Sequence, residues 1–294
     1  MSVTSLASGH NHRLRTAKNN LATVLVTLSF VVALIPLVWM LWTVLSKGLH
    51  AITRNGWFTQ SQRGITYRNP GGGAYHAILG TFLQVLLCSI ISIPIALMVG
   101  IYLVEYGRGP LARATTFMVD ILTGIPSIVA ALFIYAVFVT TFHGQRAGWL
   151  VSLALVMLMI PVIVRTTEEM LKLVPNELRE ASYALGVPKW VTIVRIVLPT
   201  AFSGIVTGIL LGLARIIGET APLLILGPYT KSIATNLFAG PMPTLPTMIN
   251  QDRTELGIAA AVERMWATAL TLIFIVLLLN LVGRLVARFG RVRS

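Results

Sequence analysis

The segment LLGLARIIGETAPLLIL, residues 210–226, places two opposite charges inside a nearly all-aliphatic run. Arg215 and Glu219 are four positions apart, so their side chains can meet on a helix. A charged side chain at the centre of a membrane-spanning helix costs about 2.5–3.5 kcal/mol on insertion scales. Packing of helices through polar groups returns only about 0.6–2 kcal/mol. The cost favours a functional role for the pair over a self-neutralising structural one.

A second arginine with nearby glutamates lies in VMLMIPVIVRTTEEMLK, where Arg165 precedes Glu168 and Glu169 by three and four positions. Two neighbouring apolar segments lining a shared polar passage would explain both groups. For Arg165 the structural alternative is stronger, since it lies near the end of its segment, where its side chain can reach the membrane surface. A guanidinium is a planar fork of donors that suits oxyanions such as phosphate or sulfate. A neighbouring glutamate would keep such a site from trapping the anion.

The composition indicates a polytopic membrane protein. Of the 294 residues 55% are hydrophobic and 11% are charged, whereas soluble domains carry about 25% charged residues. The net charge of +13 could suggest nucleic-acid binding, but the basic residues are scattered between apolar runs, as the positive-inside rule predicts. Nucleic acid is therefore excluded as a partner. The chain's one cysteine, Cys88, lies in an apolar run and is predicted to be an inert packing residue, and no His, Cys or carboxylate spacing indicates a metal site.

Six segments are long and apolar enough to cross a membrane, which needs about 20 such residues. They are residues 21–45, 77–104, 115–142, 149–166, 199–226 and 265–287. An even number of spans puts both termini on one side, and basic residues make that side cytoplasmic. The basic residues that favour this orientation are Arg13, Arg15, Lys18, Arg108, Arg113, Arg284, Arg288, Arg291 and Arg293. The outer loop 46–76 is also basic, but it is longer and counts for less.

Prolines and polar residues interrupt two of these spans. Pro126 follows Gly124 and precedes Ser127, and the three form either a kink that faces the passage or a packing kink. Thr220 and Pro222 follow Glu219 and are predicted to open the helix locally, which would free backbone carbonyls toward the passage. The outer segments NGWFTQSQRGITYRNPGGGAY and LFAGPMPTLPTMINQDRTELG are either plain connectors with interfacial aromatics or docking surfaces for an external partner, and the second should end in a short helix.

The segment between spans four and five predicts two helices separated by a break. It reads EEMLKLVPNELREASYALGVPKWVTIVRIVLPTAF. Asn176 is predicted to cap a helix that ends at Gly186 in a left-handed conformation, and Pro188 to start the next helix. Leu178, Ala181, Ser182 and Leu185 share one face by their spacing. This small-residue face would suit a short helix that fits into a partner's groove.

This segment resembles the EAA loop of bacterial ABC importer permeases. The matching positions are Glu180, Ala181, Ser182, Gly186, Ile196, Leu198 and Pro199, with Ser182 in place of the family's second alanine. The resemblance implies that residues 176–186 form a coupling helix that docks on a separate ATP-binding subunit, with Leu185 as a further contact. The chain has no G-x-x-x-x-G-K-[ST] phosphate loop. It is therefore not expected to be an enzyme or to bind a cofactor itself, since ATP would be bound by the partner subunit.

The string ARIIGETAPLL is similar to the ARAxGETAPLL signature of the A-type permease subunit of high-affinity phosphate ABC transporters, and GGGAYHAILGTF and ILTGIPSIVAALFIY resemble its second and third spans. The resemblance covers residues 70–235. It implies that phosphate passes along Arg215 and Glu219, with Arg165 and Glu168 less securely matched. Ser127 and Thr220 complete the predicted passage. It also implies a second, related permease subunit, two ATP-binding subunits and an external phosphate-binding protein.

The predicted protein is thus an all-α, six-helix subunit with the type I ABC importer permease fold, located in the prokaryotic cytoplasmic membrane. Residues 1–20 form a cytoplasmic tail, 21–287 the transmembrane domain with its EAA loop at 167–199, and 288–294 a second cytoplasmic tail. The nearest alternative is an ABC permease for another oxyanion, such as sulfate or molybdate. An ATP-independent channel or carrier and a signalling scaffold are less compatible with a docking helix for an ATP-binding subunit.

Overall fold

The computed structural model describes residues 9–289, with side chains from 15 to 288, and all regular elements in that range are helices. The predicted all-α class is confirmed. In chain order the helices are α1 (Gly9–Ile52), α2 (Tyr75–Ile101), α3 (Gly109–Gly124), α4 (Ser127–Ile134), α5 (Gly148–Lys172), α6 (Asn176–Ala184), α7 (Lys189–Thr192), α8 (Leu198–Ile217), α9 (Ala221–Leu226), α10 (Leu245–Arg253) and α11 (Ala259–Phe289). Three π-helical segments extend them, with Tyr102–Tyr106 after α2, Tyr135–Thr141 after α4, and Ile193–Val197 between α7 and α8. Residues 1–8 and 290–294 of the predicted tails, with Arg291 and Arg293, lie outside the described residues, while residues 9–20 belong to α1.

The centre of the fold is the pair α2 and α5, which run parallel. Near their starts, Ser152 Oγ donates a hydrogen bond to the Gln84 carbonyl at 3.0 Å. Near their ends, a Cβ added to Gly100 would lie 2.8 Å from Thr167 Cγ2. The residue numbers at the contacts therefore increase in the same direction along both helices, which makes the helices parallel. Most residues of α5 are buried, and most of the buried ones are apolar, so this helix forms the core on which the others pack.

Because α2 and α5 are parallel, the chain must cross back between Tyr106 and Gly148. Helices α3 and α4 make this crossing and are bent by 105° with respect to each other. Pro126 causes the break, because it has no N–H to donate to α3 and it forces the preceding residue out of the helical region. Ile125 accordingly has φ −72° and ψ 124°. The predicted third span, 115–142, is thus one broken span over 109–141.

Helix α8 runs antiparallel to α5, and two glycines allow the close approach. A Cβ added to Gly204 would lie 2.2 Å from Met170 Sδ, and one added to Gly208 would lie 2.4 Å from Thr166 Cγ2. The helix ends at Ile217, and α9 begins only at Ala221. The predicted fifth span, 199–226, is therefore also interrupted, at residues 218–220, as Thr220 and Pro222 had indicated.

Helices α1 and α11 complete the set of crossings. They run antiparallel, with the end of α1 against the start of α11, where His50 Nδ1 lies 2.8 Å from Glu263 Oε1. Apart from this end, nearly all side chains of α1 from residue 15 onward are exposed, with Trp39 72% exposed. With α3 and α4 counted as one span, the chain has six candidate crossings. The described ends of α1 and α11 lie on the same side as α6, here called the α6 side, and the opposite side is called the loop side.

On the loop side, the long connections are folded onto the helix ends. Trp57 is 2% exposed and its Nε1 donates to Thr271 Oγ1 at 2.9 Å. Trp57 is therefore a core residue of this layer and not an interfacial aromatic, because α11 offers it both a pocket and an acceptor. The predicted short helix in the second loop is α10, whose N-terminus is closed by a capping box between Thr244 and Thr247.

Candidate transport site and coupling helix

The break between α8 and α9 carries the first predicted pair. Arg215 lies in the last turn of α8, and Glu219 follows the helix end. The pair was predicted to share one helical turn, but Glu219 is outside the helix because the α8 ladder stops at Ile217. Arg215 Nε and Glu219 Oε1 are 3.6 Å apart, an ion pair longer than a hydrogen bond. The Arg215 side chain is 48% exposed and the Glu219 side chain 16%.

Contacts between α8 and α5 give the depth of Arg215 in the helical layer. A Cβ added to Gly212 would lie 3.4 Å from Ile163 and 3.5 Å from Met159, and one added to Gly227 would lie 3.2 Å from Val151. Arg215 is one turn beyond Gly212 along α8, so it lies level with the middle of α5. A half-exposed arginine at this depth must meet a partner subunit, water or a solute.

Arg165 lies closer to the α6 side and is more fully paired. It forms an ion pair with Asp120 on α3, and its Nη1 donates to Glu168 Oε2 at 2.7 Å. Lys172 Nζ donates to the other oxygen of Glu168, also at 2.7 Å. The positive charges of Arg165 and Lys172 are thus balanced by the negative charges of Asp120 and Glu168.

The two arginines are separated along the layer. Arg165 is level with Gly208, whose Cβ would meet Thr166, and Arg215 is seven residues further along α8. At 1.5 Å per residue this corresponds to about 10 Å. Among the ion pairs of residues 15–288, none joins Arg165 or Glu168 to Arg215 or Glu219. The structure therefore brings each predicted pair together but leaves two separate charged positions.

The remaining predicted passage residues lie at the two helix breaks. Ser127 is the first residue of α4, and Thr220 directly precedes α9. Helices α4 and α9 pack against each other, so the two interrupted spans are neighbours. Thr220 Oγ1 donates to the Gly218 carbonyl at 3.5 Å, and both Ser127 and Thr220 are half-buried.

The predicted coupling helix is α6, and its exposed surface differs from the prediction. Leu185 is 82% exposed, Trp190 on α7 65% and Tyr183 42%, while Glu180 and Ala181 are also exposed. These side chains form the surface available to a partner. Gly186 has φ +73° with open space around its Cα, which confirms the left-handed end.

Three details of this segment were wrongly predicted. Ser182 is 3% exposed and shares a hydrogen bond with Thr192 Oγ1 at 2.8 Å, so it holds α6 to α7 and does not face a partner. Asn176 is the first helical residue, and the N-cap is Pro175 without a side-chain cap. Pro188 is likewise the N-cap of α7, because its ψ of 150° is extended.

Two buried charge clusters were not predicted from the sequence. One joins Arg179 on α6 to Glu105 at the end of α2, with Nη2 and Oε1 2.9 Å apart. The other joins Asp252 on α10 to Arg264 on α11, with Nε and Oδ1 3.7 Å apart. Glu105 and Arg179 are far apart in the sequence, and Asp252 and Arg264 lie on separate helices, so no spacing within one helix could reveal either pair. The only signals of these pairs in the sequence were Arg179, which precedes the EAA motif, and Asp252, the one acidic residue of α10.

The Asp252 pair belongs to the loop side and is incompletely hydrogen bonded. Neither carboxylate oxygen of Asp252 accepts a hydrogen bond in the described residues, and Arg264 Nε donates none. Burial raises the pKa of Asp252 from 3.8 to about 6, against the opposing effect of the Arg264 charge. Burial likewise raises the pKa of Tyr229 and lowers that of Lys231, both of which interact with Asp252.

No group of three or more His, Cys, Asp or Glu side chains in residues 15–288 could hold a metal ion. Cys88 is fully buried between α2 and α5, where its Sγ lies 3.7 Å from Met159 Sδ, as expected for a packing residue. The polar chemistry of the membrane layer is therefore that of arginine with carboxylates, which suits an anion in transit.

Comparison with known proteins indicates the family of the chain. The family model of the binding-protein-dependent transport system inner membrane component matches residues 92–291. A relative from Mycobacterium tuberculosis, phosphate transport system permease protein PstA 1, is 52% identical over 272 residues, covering 92% of this chain and 89% of that protein. The PstA permease of Yersinia pestis is 41% identical over 273 residues, with 92% and 90% covered.

A solved structure shares the fold. The bacterial alginate ABC transporter in complex with alginate pentasaccharide-bound periplasmic protein includes a chain that superposes with a TM-score of 0.64, covering 91% of this chain and 93% of that one. The sequence identity is 14%, so the likeness concerns the fold alone. It confirms the type I importer permease architecture.

Proposed function

Since the chain belongs to the family of binding-protein-dependent transport system inner membrane components, we propose that it forms part of the membrane passage of a phosphate importer. The phosphate transport permeases among its relatives support this solute over sulfate or molybdate. The observation that carries the proposal is the half-exposed Arg215 at the α8–α9 break, at the middle depth of the layer. An arginine at this depth with one long ion pair is kept there for a solute.

The chemistry of this position fits an oxyanion that must bind and leave again. The only ion pair of Arg215 in the described residues is the 3.6 Å contact from Nε to Glu219, so its terminal nitrogens are free to donate to an anion. Glu219 repels a bound anion and weakens the site, which favours release. Glu219 can also accept a hydrogen bond from a protonated oxyanion. Phosphate carries a proton at neutral pH, whereas sulfate does not.

The passage continues from Arg215 toward Arg165. The two positions are about 10 Å apart along the helices, which is short enough for a solute to pass between successive contacts. Arg165 is held by Asp120 and Glu168, so the anion would have to compete with these carboxylates. Ser127 and Thr220, at the two neighbouring helix breaks, supply hydroxyl donors beside the route, as interrupted helices do in other transporters.

The chain needs partners to close this passage. A side chain that is 48% exposed at mid-depth requires a second surface, which a related permease subunit would supply. The α6 side faces the cytoplasm, because Arg108, Arg113 and Arg284 lie on that side. There, two ATP-binding subunits dock on α6, with Leu185 as the most exposed apolar contact, and bind the ATP that this chain does not. A phosphate-binding protein delivers the solute to the loop side.

Radiolabelled phosphate uptake in cells that carry this chain with its partner subunits tests the proposal. We expect Arg215→Gln to abolish uptake while the variant still inserts and still binds its ATP-binding subunit. The matched control is Arg146→Gln, which removes an exposed arginine on the loop side. Unchanged uptake by Arg215→Gln would contradict the assigned passage. Uptake of labelled sulfate or molybdate in place of phosphate would support the passage but contradict the assignment of phosphate as the solute.

A further inference from the structure

The guanidinium of Arg179 makes a more complete set of hydrogen bonds than either passage arginine. Nε and Nη2 donate to Glu105 Oε1 at 3.1 and 2.9 Å. Nη2 also donates to the Leu171 carbonyl at 2.9 Å, and Nη1 to the Val174 carbonyl at 2.7 Å. The side chains of Arg179 and Glu105 are only 13% and 4% exposed. We refer to these four residues as the Arg179 cluster.

The Arg179 cluster connects three separate elements. Arg179 lies on α6, Glu105 lies in the π-helical segment that extends α2, and the two carbonyls belong to the end of α5 and the residues after it. The last carbonyls of a helix lack partners within it and carry partial negative charge. One guanidinium therefore satisfies the end of α5 and the carboxylate of α2 at the same time.

Helix α7 makes a second connection to the same place. Lys189 Nζ donates to the Glu105 carbonyl and lies 4.7 Å from the ring centre of Tyr106. The end of α2 is thus held by both helices of the segment that docks on the partner. Segments of π-helix are frequent at functional sites, and this one positions Glu105 toward α6.

We propose that the Arg179 cluster is the connection through which movement of α6 is passed to α2 and α5 as one body. This inference rests on the proposed function, since it names the residues that carry coupling. A buried charge pair resists separation, because a lone buried charge is strongly unfavourable. Displacement of α6 by the ATP-binding subunits therefore moves the parallel pair α2 and α5, and with it Arg165.

The other connection of α6 is weaker and leads elsewhere. Ser182 and Thr192 share one hydrogen bond between neutral hydroxyls, and this bond leads through α7 to α8, which carries Arg215. Neutral hydrogen bonds are about half as strong as charge-assisted ones. The bonds that fix α6 to α2 and α5 are therefore stronger than the bond that holds α6 to α7.

The ratio of phosphate moved to ATP hydrolysed, in the reconstituted complex with its loaded binding protein, tests this assignment. We expect the double variant Arg179→Gln with Glu105→Gln to lower the ratio about tenfold, within the usual range of coupling between sites. The double variant leaves no uncompensated buried charge, so it should assemble, and the ratio does not depend on the amount assembled. Arg113→Gln, at an exposed position of α3, is the control. An unchanged ratio in the double variant would overturn the proposal and leave phosphate transport standing.

A distance measurement gives a readout that does not depend on the solute. Spin labels can be placed on Met98→Cys in α2 and Glu177→Cys in α6, both exposed, because Cys88 is buried and is the chain's one cysteine. We expect the distance between the labels to stay constant on ATP binding in the parent and to change by about 2 Å, a typical helix shift, in the double variant. A change in the parent would overturn the rigid connection. Failure of the parent to move phosphate, with this distance constant, would instead overturn the proposed solute.

Discussion

Arg179 on α6 and Arg215 in the last turn of α8 each form an ion pair with a glutamate, but their surroundings are opposite. Arg179 is 13% exposed and bonds to Glu105 and two backbone carbonyls within 3.1 Å. Arg215 is 48% exposed and has one carboxylate at 3.6 Å. The donors of the Arg179 guanidinium have acceptors within the chain, whereas most donors of the Arg215 guanidinium do not.

This difference separates two uses of a charged residue in one membrane protein. A guanidinium whose donors are all satisfied fixes the helices around it, because moving any of them would leave a buried charge unpaired. A guanidinium with unsatisfied donors at mid-depth is poorly stabilised by the chain, and a polar residue so placed is best explained by a transported solute. Under the proposed function, the same residue type connects helices at one position and contacts the transported anion at the other.

The largest difference is expected in stability. Arg179→Ala should lower the free energy of unfolding by about 3–5 kcal/mol, because it leaves Glu105 buried and unpaired. Arg215→Ala should lower it by no more than about 1 kcal/mol, since its ion pair is long and half-exposed. Thermal unfolding of the purified chain in detergent measures both variants.

Glu105→Gln is the control for the first value, because it keeps an acceptor for Arg179 but removes the charge that Arg179→Ala would leave. Adding Glu105→Gln to Arg179→Ala should recover part of the lost stability. If Arg179→Ala and Arg215→Ala were equally stable, the contrast between the two arginines would be wrong.

The Asp252 pair is an intermediate case, buried like the Arg179 cluster but incompletely hydrogen bonded. The pKa of the Asp252 carboxyl, about 6, exceeds its ordinary value of 3.8. Between these two pH values the unfolded chain has lost the proton and the folded chain still holds it, so the free energy of unfolding falls as the pH rises. The fall from pH 4 to above 6 should be at most about 3 kcal/mol, at 1.36 kcal/mol per pKa unit.

Thermal unfolding between pH 4 and 7 checks this, with Asp252→Asn as the comparison. The difference between parent and variant should change across pH 4–6 and be flat above pH 6.5. A difference that is flat over the whole range would mean that the carboxyl titrates at its ordinary pKa, and that the Asp252 pair is as well satisfied as the Arg179 cluster.

Local signals in the sequence predicted much of the fold. The six apolar segments correspond to six candidate crossings, and the breaks at Pro126 and before Pro222 follow from the missing N–H of proline. The left-handed Gly186 follows from its place after a helix. The break at Pro126 was predicted only as a kink, however, because local pattern gives the position of an interruption but not the 105° that the surrounding helices impose.

The site was predicted only as far as neighbouring residues could show it. Arg165 with Glu168, and Arg215 with Glu219, are found as ion pairs because each pair is close in sequence, while their roles in a passage stay predictions. The Arg179–Glu105 pair joins distant parts of the chain, and the Asp252–Arg264 pair depends on how α10 packs against α11, so neither pair follows from the sequence alone. Ser182 was assigned to the partner surface by its spacing on α6. The spacing does not show that its hydroxyl shares a hydrogen bond with Thr192 on the next helix, which keeps it buried.

The smallest expected effect concerns Ser182 and Leu185, which were predicted to share one docking face. Ser182→Ala removes a buried hydrogen bond and should lower the free energy of unfolding by about 1 kcal/mol, without changing the affinity for the ATP-binding subunit. Leu185→Ala, at a side chain 82% exposed, should change stability little and weaken docking. Thermal unfolding combined with co-purification of the ATP-binding subunit separates the two. Weaker docking by Ser182→Ala at unchanged stability would mean that α6 turns its small-residue face outward, which would also detach Arg179 from Glu105 and remove the basis of its contrast with Arg215.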